Sequence, residues 1–258
     1  MLKKSLKLFG FTCMFGVFGA FFRWLQSITA FEAETGLAIS GSRWSIILLI
    51  YMVIITAALA FISVRLKACS FPEEYSEALS TPSPIFDIAS IALAAVMALG
   101  GLLVIFSALT PPDYAIFDLV TGLFAIVAAV CLIALLRSTK RDHAESRGAA
   151  AALVVDLFMC FWLVASYKSF ASDPVIWHYA PRLLAICAGV VAFYYVAGYP
   201  YRKPRPQMTV FFSNLSAFLF IVTLGDDFPL GKQLLALSAA GTLCLYSMLI
   251  VSSGKEAD

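Results

Sequence analysis

Five side chains able to carry or share charge stand inside stretches that are otherwise apolar: Arg23, Asp118, Asp156, Arg182 and Asn214. A charged group at the centre of a membrane helix costs about 2.5–3.5 kcal/mol on insertion scales, so each such residue marks a functional site or a specific polar contact. Asp156 is the sharpest case. It follows Leu153, Val154 and Val155 and precedes Leu157 and Phe158. A span starting near residue 149 carries it about 10 Å inward at 1.5 Å per residue, near the midplane. Asn214 reaches a similar depth in another span and can both donate and accept, which makes it the expected partner. As a functional site the pair would hold a proton or a cation. As a structural element it would be a hydrogen bond that fixes helix packing.

Arg23, Asp118 and Arg182 form a second group, each within about 8 Å of one membrane boundary. One acid between two arginines predicts that Asp118 contacts Arg182 or Arg23. The surplus positive charge would suit an anionic headgroup or solute. Arg23, beside Trp24, is also placed to snorkel to the interface. No catalytic constellation accompanies these residues. There is no phosphate-binding Gly-x-x-x-x-Gly-Lys loop, no His-Glu-x-x-His and no Gly-x-Ser-x-Gly, the patterns that nucleotide binding, zinc hydrolysis and serine hydrolysis require. His143 and His178 fall on opposite sides of the membrane and cannot share a metal. The sequence therefore offers no metal site, no cofactor motif and no nucleic-acid-binding run.

The elements that must position these residues are spanning helices. The 258 residues are 61% hydrophobic and 13% charged, with mean hydropathy +0.90. A soluble domain has about 45–50% apolar and 25% charged residues. Too little polar surface is present to cover a water-soluble fold. A span needs about 20 mostly apolar residues. The runs lack strand-like alternation and predict an all-α transmembrane bundle of eight helices near 8–27, 44–64, 86–108, 115–136, 149–168, 178–198, 208–224 and 231–252. Residues 1–258 form one integral membrane domain. Equal helix counts around the basic loop, and similar stripes in the fourth and eighth spans, raise a parallel duplication of halves 1–138 and 148–258.

Small residues recur at four-residue spacing: Ser90, Ala94 and Ala98; Thr121, Ala125 and Ala129; Ala185 and Gly189; Ala236, Ala240 and Cys244. Such stripes let helix backbones approach closely in lipid. The six cysteines fall within helices or, for Cys69, on the expected cytoplasmic side, and imply no disulfide.

Charge sets the orientation. Alternate gaps hold Lys3, Lys4 and Lys7; Arg65 and Lys67; Arg137, Lys140, Arg141 and Arg147; Arg202, Lys203 and Arg205; and Lys255. The other gaps hold only Arg43, Lys168 and Lys232. Thirteen against three is the bias of the positive-inside rule, and it predicts both termini in the cytoplasm. The basic loops can lie on anionic lipid headgroups. The outside loops lean acidic, with Glu32, Glu34, Asp113, Asp173, Asp226 and Asp227, read as acids simply free to be there.

The first outside loop runs Arg23-Trp24-Leu25-Gln26, then Phe31-Glu32-Ala33-Glu34-Thr35-Gly36-Leu37, then Gly41. It resembles a pattern in uncharacterised bacterial multi-pass membrane proteins. The resemblance covers under a tenth of the chain and implies a shared structural loop and no activity. The expectation is a multi-pass protein of a bacterial cell membrane that binds or transports a small solute or ion, alone, as a homo-oligomer or with another membrane protein. The alternative is a non-catalytic subunit, scaffold or sensor. A lipid-modifying enzyme comes third, for want of a nucleophile or metal set.

Overall fold

The protein is described from a computed structural model covering residues 2–32, 37–39, 41–66, 69–72, 74–79, 84–110, 115–138, 145–171, 173 and 175–256. Eight of its helices are long and apolar enough to cross a membrane. They are α1 (Leu2–Thr29), α2 (Arg43–Arg65), α4 (Pro84–Ala108), α5 (Ile116–Ser138), α6 (Glu145–Ser169), α7 (Ile176–Ala197), α8 (Pro206–Val222) and α9 (Leu230–Ser253). All eight coincide with the spans read from the sequence. Helix is the only open element that satisfies every backbone N–H and C=O within itself where water is absent.

The boundaries moved where terminal chemistry allowed it. α1 continues back through Lys7, Lys4 and Lys3, because long basic side chains on an end turn can reach water from a helix. α8 opens on Pro206, where the missing N–H would be unpaired in any case, and closes in the 3-10 turn Thr223–Gly225. The connection after α2 is more than a loop. It contains the single turn α3 (Tyr75–Ala78) and a two-residue strand β1 (Cys69–Ser70), which pairs antiparallel with β2 (Lys255–Glu256) beyond α9. Tyr75 is buried and donates its hydroxyl to the Leu135 carbonyl at 2.7 Å.

Helices α4, α5, α6, α7, α8 and α9 pack each on the next, and α9 returns to α4, so the six close a ring. α1 lies outside the ring against α8 and α9, and α2 lies against α1 and α8. α9 is the innermost span, 78% buried in its apolar window against 22% for α1 and α2. Aromatic rings fill the space between α6 and α8: Trp162 stacks on Phe158 and on Phe220, with centroids 5.7 and 5.5 Å apart.

The small-residue stripes face inward. Ala94, Ala125, Ala129, Ala185, Ala236, Ala240 and Cys244 are all buried. Two pairs of glycines bring backbones together where stripes cross. On α4, a Cβ on Gly101 would lie 2.7 Å from the Gly122 carbonyl oxygen of α5, and one on Gly122 would lie 2.6 Å from that of Gly101. Gly100 and Gly231 face each other between α4 and α9, at 3.1 Å from added Cβ to carbonyl oxygen in both directions. Polar crosslinks supplement the packing: Ser238 of α9 donates to the Leu93 carbonyl of α4 at 2.8 Å, and Ser216 of α8 to that of Ala185 in α7 at 3.0 Å.

The α4–α5 crossing has no room for a methyl group. Gly101→Ala and Gly122→Ala should each destabilise the fold by about 1–3 kcal/mol, the usual range for overpacking. Gly10, with nothing within 4 Å of an added Cβ, should accept Ala neutrally or gain up to about 1 kcal/mol of helix propensity. Denaturant titrations of the detergent-solubilised protein check this; equal midpoints for the three variants would contradict it.

Candidate functional site

Asp156 and Asn214 do not meet. The Asn214 side chain is enclosed by three helices. Its Oδ1 accepts from Thr12 of α1 at 2.8 Å, and its Nδ2 donates to Ser247 of α9 at 2.5 Å and to the Val210 carbonyl at 2.7 Å. Its donors and acceptor are thus used as a packing node joining α1, α8 and α9. The expected pairing fails because α7 packs between α6 and α8, and Asn214 faces α1 and α9 instead.

Asp156 opens instead into a cavity of about 520 Å³ at one end of the bundle. The wall runs from Leu153 and Asp156 on α6, across Tyr194 and Tyr195 in the last turn of α7, to Lys203 and Arg205 in the loop before α8. The Asp156 Oδ1 atom is buried and has no hydrogen-bond partner. Local sequence builds the loop. Gly198 admits the Lys203 carbonyl oxygen to within 2.9 Å of where a Cβ would stand, and the Lys203 N–H donates to the Gly198 carbonyl at 2.8 Å. Arg202 takes φ of 55°, the left-handed region that turns the chain sharply. Tyr199 anchors the turn in the interior, and burial pushes its phenol above the ordinary range.

The other end of the bundle carries the second group, with different partners from those expected. Arg23 is 2% exposed and does not snorkel. Its Nε donates to Asp226 at 2.5 Å, its Nη1 to Gln26 at 2.6 Å and its Nη2 to the His178 carbonyl at 3.2 Å. Gln26 passes the chain on to Ser45 of α2 at 2.9 Å. Asp118 bonds neither arginine; it pairs with Lys232 at 2.8 Å. Arg182 donates to the carbonyl of that same Lys232 at 3.1 Å. Its guanidinium lies 4.2 Å from the Phe228 ring centroid and 5.7 Å from that of Trp162, the geometry of cation–π attraction. The three predicted residues therefore occupy one end of the bundle, but Asp226 and Lys232 complete the charge balance. Asp226 is not a free loop acid. A buried Arg23 demands a counter-acid, and that demand was the signal for it; choosing Asp226 over Asp118 required the packing of α1 on the α8–α9 turn.

Nearby, Asp173 accepts from the Val175 N–H at 2.8 Å and contacts His178 Nδ1 at 2.9 Å. The Val175 amide and, secondarily, the imidazole hold its carboxyl below the usual range. Among the described residues no group of three or more His, Cys, Asp or Glu is set to hold a metal. His143, Arg141, Asp113, Lys67 and residues 33–36 of the first loop lie outside the described residues. Compared with family models, curated proteins and solved structures, the chain has no match in any of the three.

The Arg23–Asp226 pair has side chains 2% and 7% exposed, the Asp118–Lys232 pair 23% and 22%. Removing one partner of a buried pair costs about 3–5 kcal/mol, and a partly exposed pair contributes about 0–1 kcal/mol. Asp226→Ala should therefore be far more damaging than Asp118→Ala. Replacing both Arg23 and Asp226 with apolar residues should recover much of the loss. A double-mutant cycle on unfolding free energies measures this; coupling near zero would overturn the assignment.

Proposed function

We propose that this is a multi-pass protein of a bacterial cell membrane, with both termini cytoplasmic, that binds a small solute or ion in the Asp156 cavity. One observation carries the reading: the Asp156 carboxylate, which has no hydrogen-bond or ion-pair partner among the described residues, lines one cavity together with Lys203 and Arg205. A buried polar atom without a partner costs about 1–3 kcal/mol, and a donor group on a ligand would offset that cost. The basic asymmetry of the loops supports the orientation, and in that orientation the cavity mouth is at the cytoplasmic end. The stacked rings of Phe158, Trp162 and Phe220 stand between the cavity and the Arg23 end. They support a binding site reached from one end more than a continuous path. The same packed interior is what supports the second reading, a membrane subunit or scaffold without transport of its own.

Two measurements test the proposal. In a cysteine-free background, Lys203→Cys should resist a membrane-impermeant maleimide in intact cells, and Asp227→Cys should react; the reverse pattern would invert the topology. For the site, thermal unfolding of the full chain in detergent should shift upward in methylammonium, sodium or potassium at matched ionic strength. A ligand at 100 times Kd stabilises by about 2.7 kcal/mol. Asp156→Asn should abolish the shift. No shift with any of the three ions, or equal shifts in wild type and Asp156→Asn, would overturn the cavity as a site.

A further inference from the structure

We infer that the occupant of this cavity is the phosphoethanolamine headgroup of an aminophospholipid, an inference that rests on the cavity reading above. The charges on the wall are of both signs and are separated in space. One carboxylate lies on α6, and two cations lie on the loop before α8. The side chains of Lys203 and Arg205 have no ion pair among the described residues, so neither is already neutralised by Asp156. A bare cation can pair with Asp156 but leaves Lys203 and Arg205 unmatched. A bare anion would face Asp156. A zwitterion with its ammonium toward α6 and its phosphate toward the loop satisfies both.

The carboxylate also discriminates among zwitterions. The Asp156 carboxylate lines the cavity and has no donor among the described residues. A primary ammonium supplies three N–H donors, whereas a trimethylammonium supplies none. Burial of an ion pair is favourable only when the remaining hydrogen bonds are made, which selects ethanolamine over choline. Lys203 and Arg205 supply the donors that phosphate oxygens accept, and arginine does so bidentately.

The side opening identifies a lipid as the source, in preference to a dissolved molecule. Leu153, which lines the cavity, is 43% exposed, and Leu157 one turn further along α6 is 61% exposed. Tyr194 on α7 is also exposed. This is the outer, hydrocarbon-facing side of the ring. A headgroup can enter sideways here while its acyl chains stay against Leu153 and Leu157, and the tyrosines stand at the depth where aromatic residues meet headgroups.

Native mass spectrometry of the full chain in detergent tests this, with phosphatidylethanolamine, phosphatidylglycerol and phosphatidylcholine of identical acyl chains offered together. Wild type should retain phosphatidylethanolamine about tenfold over each of the others, equivalent to 1.4 kcal/mol. Asp156→Asn, which keeps the side-chain shape, should erase the advantage over phosphatidylglycerol. Lys203→Gln, outside the helices and so little threat to folding, should lower retention of both. Equal retention of all three lipids by wild type, or an undiminished preference in Asp156→Asn, would overturn the assignment. Displacement of the lipid by an equimolar amount of soluble phosphoethanolamine would overturn the lipid source. If the preference is absent while methylammonium still stabilises wild type and not Asp156→Asn, the headgroup assignment alone fails. If both effects are absent, the cavity reading fails with it.

Discussion

Where water is excluded, a charge must find its opposite inside the protein, and the contact between Arg23 and Asp226 meets that demand most directly. It joins α1 to the turn between α8 and α9. The remaining donors of Arg23 reach Gln26 and the His178 carbonyl, and Gln26 reaches α2. One guanidinium thus links elements from across the chain at one end of the bundle. The ring of α4 to α9 is held chiefly by close-packed small residues and rings. α1 and α2, largely exposed to hydrocarbon, have fewer buried contacts and depend more on these polar ties.

Polar groups in the bundle divide by how fully they are satisfied. Asn214 uses both of its amide hydrogens and its carbonyl within the protein, and it is a structural node. Arg182 is buried with one hydrogen bond to a carbonyl and two aromatic faces, a lower-cost environment for a guanidinium than for an ammonium because it is more weakly hydrated. Asp156 and Asp226 each keep a buried oxygen without a hydrogen-bond partner beside open volume, but the other oxygen of Asp226 is taken by Arg23, whereas Asp156 has no ion pair among the described residues. That difference in satisfaction is the ground on which a binding role is proposed for Asp156 and not for Asn214.

The eight spans were legible because they depend on length and apolarity, both local in sequence. The inward stripes around Ala94, Ala125 and Ala240 were legible for the same reason, since a four-residue repeat defines a helix face. The pairings were not. Asp118 and Asp226 are both acids near the same boundary, and only the contact of α1 with the α8–α9 turn tells which one Arg23 meets. Asp156 and Asn214 were paired on expected depth, but which helices become neighbours, and which way each one faces, comes from packing alone. Tyr75 was hidden differently: a lone turn inside a connection carries no periodicity, so its burial under α5 left no trace in the pattern.

The order of synthesis gives the Arg23–Asp226 contact a further consequence. The two residues are 203 positions apart, so at 5–20 residues per second about 10–40 s pass between their emergence from the ribosome. α1 enters the membrane with its arginine uncompensated, and six more spans are made before Asp226 emerges ahead of α9. The innermost helix of the ring, α9, is also the last of the eight to arrive. The ring cannot close until it does, and until Asp226 emerges the nascent chain needs either the water and headgroups of the interface or the insertion machinery itself to shelter Arg23.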